Sequence, residues 1–193
     1  MSDSEYCYPP DFTVLRNRLG LRDAVVLDFH EREIVAQRIA EGAPTGDFDL
    51  RHLRAIHRHL FQDVYDWAGE LRTVEIAKGG SQFQFQRFIG AGMADVHRRL
   101  VGRTYLEGLD LDEFAREAGV VIGDVNYVHP FREGNGRTQL LYLEQLAIRA
   151  GHPLSIRLLD RDQWMDASQA SHGGDYARMA DCIRHAVEAS TML

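Results

Sequence analysis

The chain has 193 residues, with 22 lysines and arginines against 29 aspartates and glutamates, so its formal net charge is −7. Hydrophobic residues make up 45% and charged residues 26%. This ordinary globular composition excludes disordered, collagen-like and coiled-coil arrays. The acidic balance argues against a general nucleic-acid binder, because such proteins need a basic face to release counterions.

Two cysteines, Cys7 and Cys182, are too few for a disulfide framework or a four-cysteine zinc site, and a reducing compartment suits them. Residues 1–10 lack the basic and apolar regions of a signal peptide. No apolar run approaches the 18 residues of a membrane span. We therefore expect one soluble, cytoplasmic domain over residues 1–193 that makes no membrane contact and no direct nucleic-acid contact.

The hydrophobic pattern predicts an all-α protein. Apolar residues at near-helical spacing indicate a helix over roughly residues 21–40, and the loop 41–46 separates it from the next. Asp49 can cap that second helix, in which Leu53, Ile56, Leu60 and Val64 repeat every three or four residues. The last fifty residues indicate one or two further helices.

One segment alternates like a β-hairpin. Residues 72–76 and 81–86 place apolar and polar side chains in turn, and Lys78, Gly79 and Gly80 suit the tight connection between them. A lone hairpin is marginal in water, so it must pack on the helices or serve a function.

Two more helices flank the most informative stretch. Asp110 or Asp112 begins one, with a buried face predicted for Phe114, Ala118, Val121, Ile122, Val125 and Val128. The other runs from about Gly136 to Ala150, where Gly151 and Pro153 are stop signals.

Other candidate sites are weak. The chain lacks the P-loop, nucleophile-elbow and HExxH motifs. Residues 90–95 begin like a dinucleotide fingerprint but lack its third glycine. His52, His57 and His59 share one helix without the acidic or cysteine partners of a metal site, so we interpret them as surface or packed histidines.

The stretch HPFREGNGR at residues 129–137 combines several chemical groups. Pro130 ends the preceding helix at His129. Gly134, Asn135 and Gly136 allow a nest of backbone N–H groups at a helix N-terminus, which is an anion site. Arg137 can grip phosphate oxygens there, although its charge opposes the helix dipole when no anion is present.

Two further side chains complete the predicted chemistry. Glu133 is well placed beside a phosphate site to hold Mg²⁺, which prefers carboxylate, water and phosphate oxygens. His129 has the intrinsic pKa of a general base.

The stretch resembles the signature of Fic-domain proteins, HPFx[D/E]GNGRxxR. Tyr8-Pro9 and VLRNRLG at 14–20 resemble the N-terminal segment of the Fic toxin subgroup, as do FQDVYDWAGELR at 61–72 and TVEIAKGGS at 73–81. The resemblance implies an all-helical fold around the signature loop, with a small β-hairpin flap. It places the core at about residues 50–153, between an N-terminal segment 1–48 and C-terminal helices 154–193.

The resemblance also implies an activity, the transfer of AMP from ATP to a hydroxyl side chain of a target protein. His129 would be the base, Glu133 the Mg²⁺ ligand, and Arg137 the group that stabilises the diphosphate leaving group. The loop residues Gly134, Asn135 and Gly136 would cradle the phosphates, and Phe131 would anchor the loop in the core.

The flap has two implied roles. Lys78 and Gly79 would lie near the nucleotide, and the strand including Thr73, Val74, Glu75 and Ile76 would align the target by β-addition. The resembled toxins modify type II topoisomerases, although residues 72–86 do not themselves indicate a target.

Leu140 departs from the signature. The family's second arginine falls at this position, where it would engage the γ-phosphate and, in inhibited members, a regulatory glutamate. There are therefore alternatives to ordinary AMP transfer from ATP. The donor site could be weaker or altered, the protein could transfer phosphate or another nucleotide, or it could be a non-catalytic binding module.

The inhibitory motif [S/T]xxxE[G/N] of the family is not matched. The nearest stretch, residues 104–108, is one residue short and lies inside the domain. We therefore predict a separate small antitoxin protein that supplies the inhibitory helix and covers an apolar patch on the N-terminal helices.

Overall fold

The computed structural model describes residues 4–78 and 80–192, with only the backbone of Lys78 and Ser81. Within that part the all-α prediction is confirmed, with seven α-helices and one short hairpin. In chain order these are α1 (Ala24–Glu41), α2 (Leu50–Phe61), β1 (Ala77–Lys78), β2 (Ser81–Gln82), α3 (Ile89–Gly102), α4 (Leu111–Val128), α5 (Asn135–Ala150), α6 (Arg161–His172) and α7 (Ala177–Ser190). Single 3₁₀ turns lie at Gln86–Phe88, Thr104–Leu106 and Ile156–Leu158.

Local capping chemistry sets several helix ends. Aspartates precede four helices and accept hydrogen bonds from first-turn N–H groups: Asp23 (α1), Asp49 (α2), Asp110 (α4) and Asp160 (α6). These N–H groups have no partner inside the helix, so each carboxylate supplies one. Helix α5 ends at the predicted stop signal Gly151, which adopts the left-handed conformation with φ 87°.

Helix α4 is central to the bundle and packs against α3, α5, α6 and α7. The side chains predicted to share its inner face are all buried, namely Phe114, Ala118, Val121, Ile122, Val125 and Val128. Gly119 lets α7 approach closely, since a Cβ there would lie 3.0 Å from the backbone nitrogen of Ala180. Four neighbouring helices thus fix the axis of α4, whose C-terminal end carries the signature stretch.

Helix α3 has no counterpart in the sequence prediction. Gly90 and Gly92 in its first turn lower its helix propensity. Its buried residues Ile89, Met93, Val96 and Leu100 nevertheless repeat every three or four positions and pack it against α2 and α4. Residues 90–95 are therefore part of a packed helix and do not form a dinucleotide-binding turn.

The hairpin is shorter than predicted. Within the described residues the hairpin pairs only Ala77–Lys78 with Ser81–Gln82, antiparallel. The predicted strand over 72–76 is therefore wrong, since the first strand begins at 77 and includes Lys78 of the predicted connection, and the predicted strand over 81–86 is right only at 81–82. The N–H of Phe83 still donates to the carbonyl of Ile76 at 3.2 Å. Away from the turn, the Arg72 guanidinium donates hydrogen bonds to the backbone carbonyls of Val74 and Gln84. These carbonyls are therefore not available as acceptors for further β-pairing between the two strands.

Buried apolar side chains from Val14, before α1, to Val187 in α7 form one continuous cluster. The subdivision into 1–48, 50–153 and 154–193 stays a prediction. No helix within the described residues is long and apolar enough to cross a membrane.

Candidate active site

His129 caps the C-terminus of α4 in the left-handed conformation, with φ 46° and ψ 63°. Its Nδ1 lies 3.1 Å from the carbonyl oxygen of Asn126. A carbonyl oxygen only accepts, so Nδ1 carries the proton and Nε2 of the neutral ring is the basic nitrogen. The ring also stacks on Phe83 with centroids 3.8 Å apart, and these two contacts fix its orientation.

Arg72 holds the backbone on both sides of this histidine. Its Nε donates to the His129 carbonyl at 2.8 Å, and its own N–H donates to the Pro130 carbonyl at 2.9 Å. The guanidinium is fully buried and also pairs with Glu75 at 3.3 Å. Burial lowers the pKa of Arg72, and the Glu75 carboxylate opposes that shift. Arg72 thereby joins the base of the flap to the end of α4.

The loop 130–134 is closed by the side chain of Asn135. Its Oδ1 accepts from the Phe131 N–H at 3.0 Å and its Nδ2 donates to the Phe131 carbonyl at 2.7 Å. Gly134 has a φ of 82°, and a Cβ at this position would collide with the ring of Phe61. Glycine is therefore required at 134 for both its backbone angle and its space.

The first turn of α5 presents unpaired donors. The backbone N–H groups of Asn135, Gly136 and Arg137 have no intrahelical partner by position, and none of the described residues accepts from them. A Cβ on Gly136 would meet only open space. These three groups are the donors of the predicted anion site, whose occupancy stays a prediction. The Asn135 side chain is not available to it, because it closes the loop.

His57 on α2 packs against the loop 130–134 from the protein interior. It was not identified as a site residue from the sequence. It is fully buried and stacks on buried Phe131 with centroids 3.9 Å apart. The Gly69 N–H donates to its Nδ1 at 2.8 Å, and its Nε2 donates to the Glu133 carbonyl at 3.0 Å. Burial lowers the pKa of His57 to about 4, so the ring is neutral and bridges two backbone segments.

The signal for His57 in the sequence was its position among buried residues. It lies between Leu53, Ile56 and Leu60 on the inner face of α2, where a polar ring needs hydrogen-bond partners. The helical pattern therefore indicates that His57 is buried, but it does not reveal that its partners belong to the signature loop. His52 is also buried but bonds elsewhere, to the carbonyl of Pro44 and to Gln145.

Arg137 is held beside the anion site by two elements. Its Nη2 donates to Glu31 of α1, and the same nitrogen lies 3.7 Å from Glu133. The guanidinium carbon lies 4.7 Å from the centroid of the Phe61 ring, in a cation–π arrangement. Glu31 is a second residue that the sequence did not single out.

Glu133 lies at the mouth of the loop, with its side chain 48% exposed. Its Oε1 accepts from the Gly134 N–H at 2.8 Å. Among the described residues, no group of three or more histidine, cysteine or acidic side chains is arranged to hold a metal ion. One accessible carboxylate beside an anion site nonetheless fits Mg²⁺, which takes most of its ligands from phosphate and water.

Leu140 is half-buried and packs against the core one turn after Arg137. It presents no polar atom toward a nucleotide. At this position of α5, the site therefore lacks the positive charge that the signature places there.

The flap residues have mixed environments. Thr73 is tied to the N-terminal segment, because its N–H donates to the Tyr6 hydroxyl at 3.1 Å and its hydroxyl donates to Glu5 at 2.8 Å. Val74, Glu75 and Ile76 are half-buried and precede β1. Gly79 and the Lys78 side chain lie outside the described part of the chain, so their predicted nucleotide contacts stay predictions.

Fold and site together define a helical protein in which a helix ending at a histidine leads into a loop that presents unpaired backbone N–H groups. The sequence model of the Fic/DOC family matches residues 47–147, more than half of the chain. The chain belongs to the Fic/DOC family.

Relatives match over nearly the whole chain. A probable protein adenylyltransferase, y4lH of Sinorhizobium fredii, is 40% identical over 182 residues, 94% of each chain. The protein adenylyltransferase VbhT of Bartonella schoenbuchensis is 38% identical over 91% of this chain, which spans only 37% of that protein. The structure of BepC from Bartonella tribocorum with bound AMPPNP matches with a TM-score of 0.88 at 25% identity, covering 96% of this chain and 97% of that one.

Proposed function

We propose that this protein transfers AMP from ATP to a hydroxyl side chain of a target protein. One observation carries the proposal: the basic Nε2 side of His129, the three unpaired N–H groups of α5 and the guanidinium of Arg137 belong to one short segment, residues 129–137, between α4 and the first turn of α5. The names of the two sequence relatives and the AMPPNP bound to BepC support the same chemistry.

In the proposed reaction, the anion site binds the phosphates and orients the α-phosphorus toward His129. Nε2 of His129 takes the proton of the incoming hydroxyl, whose oxygen forms a bond to the α-phosphorus. The bond from that phosphorus to the oxygen bridging to the β-phosphate breaks, and diphosphate leaves. Arg137 and the N–H groups of the loop stabilise the negative charge that develops on the phosphates.

Glu133 would hold Mg²⁺ at the mouth of the loop. The ion, when bound, would neutralise phosphate charge and fix the geometry of the diphosphate. Glu133 is suited to this because its carboxylate is half exposed, accepts from the adjacent Gly134 N–H and lies 3.7 Å from Nη2 of Arg137.

Leu140 favours a second candidate, a relative with an altered donor or no catalysis. A charged hydrogen bond contributes about 1.5–3 kcal/mol, so the missing arginine could weaken ATP binding roughly ten- to a hundredfold. Transfer remains the better-supported function, because the groups proposed to act at the α-phosphate are all present.

The partners belong to the proposal as well. The target, by resemblance a type II topoisomerase, would align along Val74, Glu75 and Ile76. A small antitoxin protein would supply the inhibitory helix, and the exposed outer face of α1, with Val25, Val26 and Phe29, is a candidate surface for it. The reaction would take place in the cytoplasm, where ATP is available.

Incubation with labelled ATP and a host lysate tests the function. Transfer of the α-phosphate label supports AMP transfer, transfer of the γ-label supports phosphate transfer, and transfer of neither supports a binding module. His129→Ala should lower transfer by at least ~10²–10⁴-fold while AMPPNP binding is retained. His30→Ala, an exposed histidine on α1, is the matched control. Full turnover in His129→Ala would refute the assignment of the base.

A further inference from the structure

Glu31 is a buried carboxylate that the proposed reaction does not use. It lies on the inner face of α1 with Leu27 and Val35, and its side chain is 7% exposed. An acidic side chain so deep in a helix interface is unfavourable unless both of its oxygens are paired.

Both oxygens have partners. Oε1 accepts from Nη2 of Arg137, 106 positions away in the sequence, and Oε2 accepts from the hydroxyl of Tyr65. Burial, followed by the nearby Glu31 charge, raises the pKa of Tyr65. Its hydroxyl therefore stays protonated and is the donor. Tyr65 in turn stacks on Trp67 with centroids 4.3 Å apart. This packing orients the tyrosine hydroxyl that donates to the Glu31 carboxylate.

The geometry at Arg137 leaves part of the guanidinium available. Nη2 is anchored by Glu31, and the ring of Phe61 lies against the guanidinium. Among the described residues, neither Nε nor Nη1 of Arg137 has a hydrogen-bond acceptor. Arginine offers five donors in a fixed planar fork, so anchoring one nitrogen orients the others.

We propose that Glu31 is a positioning residue that orients Arg137 for the diphosphate. One nitrogen is fixed by the carboxylate, and Nε and Nη1 are left for phosphate oxygens at the α5 N-terminus. This role matters more here because Leu140 removes the second arginine of the signature. The inference rests on the proposed function, in which Arg137 stabilises the leaving group.

The test is a double-mutant cycle with a matched control. Glu31→Gln keeps the shape but replaces one acceptor with an N–H donor, and we expect transfer to fall roughly ten- to a hundredfold. The loss should be divided between kcat and nucleotide affinity, because Arg137 would contact the phosphates both in the bound nucleotide and as the diphosphate leaves. Glu33→Gln makes the same chemical change at an exposed position of α1 and should have no effect. On an Arg137→Ala background, Glu31→Gln should change transfer less than about twofold, because the two residues act as one unit.

The opposite results are equally clear. An equal loss in both backgrounds would show that Glu31 acts on the fold alone. Faster transfer in Glu31→Gln would show that the carboxylate withholds Arg137 from the nucleotide. Tyr65→Phe removes one donor to Glu31 and keeps the Arg137 pair, so a smaller loss, again dependent on Arg137, is expected if Glu31→Gln folds poorly.

AMPPNP binding by calorimetry separates this proposal from the proposed function. If the wild type binds AMPPNP but transfers nothing, the proposed function fails while the cycle is still measured in affinity. Glu31→Gln should then weaken AMPPNP binding only when Arg137 is present. Unchanged affinity in that case would overturn the positioning role.

Discussion

Nε of Arg72 donates a hydrogen bond to the backbone carbonyl of His129 at a distance of 2.8 Å. Through this contact the buried guanidinium of Arg72 connects the backbone of the proposed base, His129, to the flap. The same guanidinium also donates hydrogen bonds to the backbone carbonyls of Val74 and Gln84. The position of the base and the shape of the flap therefore depend on one side chain.

Arg72→Lys tests this relationship. Lysine keeps the charge but cannot reach the carbonyls of His129, Val74 and Gln84 together, so buried acceptors lose their donors. We expect the free energy of unfolding to fall by about 2–4 kcal/mol, measured by urea denaturation, with a loss of transfer as well. Arg87→Lys, at an exposed position, should leave both quantities unchanged.

The two glycines of the anion loop separate folding from binding. Gly134→Ala places a methyl group against Phe61 at a left-handed φ, and should lower stability by about 2–3 kcal/mol. Gly136→Ala faces open space, so its melting temperature should change little. Its methyl group would instead keep phosphates from the N–H groups, and AMPPNP affinity should fall. Normal affinity in Gly136→Ala would place the anion elsewhere.

The buried His57 predicts how stability depends on pH. The pKa of His57 is about 4 in the folded state against 6.5 for an unperturbed histidine, so the unfolded chain binds the proton first as the pH falls. Stability should decrease by about 1.4 kcal/mol per unit between pH 6.5 and 4, up to about 3 kcal/mol, and this contribution is fully present above pH 6.5.

Urea denaturation at a series of pH values measures this slope. His57→Gln should reduce stability near pH 7 and flatten its dependence between pH 6.5 and 4. His30→Gln alters an exposed histidine and should retain the slope of the wild type. Identical slopes in wild type and His57→Gln would assign the pH dependence to other groups.

Removal of the Glu133 charge tests the metal site. Glu133→Gln keeps the side-chain shape, so the Gly134 N–H retains its acceptor while the ligand charge for Mg²⁺ is lost. Transfer should fall roughly tenfold or more and partly return at high Mg²⁺. Glu113→Gln, an exposed change in the first turn of α4, is the control. An unchanged Mg²⁺ dependence in Glu133→Gln would remove Glu133 from the metal site.

Lys78 can be tested directly because it is the only lysine in the chain. An amine-reactive acylating reagent will modify it and the N-terminus. If Lys78 lies near the nucleotide, AMPPNP with Mg²⁺ should protect it from acylation several-fold, read by mass spectrometry on the tryptic peptide 73–87. The control is the double variant Arg137→Ala/Gly136→Ala, which should bind AMPPNP poorly. If AMPPNP still protects Lys78 in this variant, the protection is unrelated to the proposed site.

Much of the site follows from short-range chemistry in the sequence. Pro130 forces His129 out of the helix, Asp110 caps α4, and Gly134 supplies the left-handed turn before α5. Each effect acts within a few residues, so the motif indicates its own local geometry. The helical periodicity of α4 likewise predicts its buried face, because burial repeats with the turn of the helix.

Tertiary packing decided the features that join distant segments. The strands over 72–76 and 81–86 were overpredicted. An alternating pattern cannot show that the Arg72 guanidinium binds the carbonyls of Val74 and Gln84, which strand pairing would need as acceptors. Similarly, α2 predicts that His57 is buried, but its hydrogen bond to the Glu133 carbonyl depends on how α2 packs under the loop.

The helical class, the family signature and the chemistry of the loop can all be inferred from the amino-acid sequence, since they depend on side-chain type and local spacing. The groups that support the loop become known only from the packing of the helices. Glu31 lies 106 positions from Arg137, and its pattern on α1 is that of any polar residue on a helix. The pair forms because the packing of α1 beside the α5 N-terminus buries a carboxylate where its available donors are Arg137 and Tyr65.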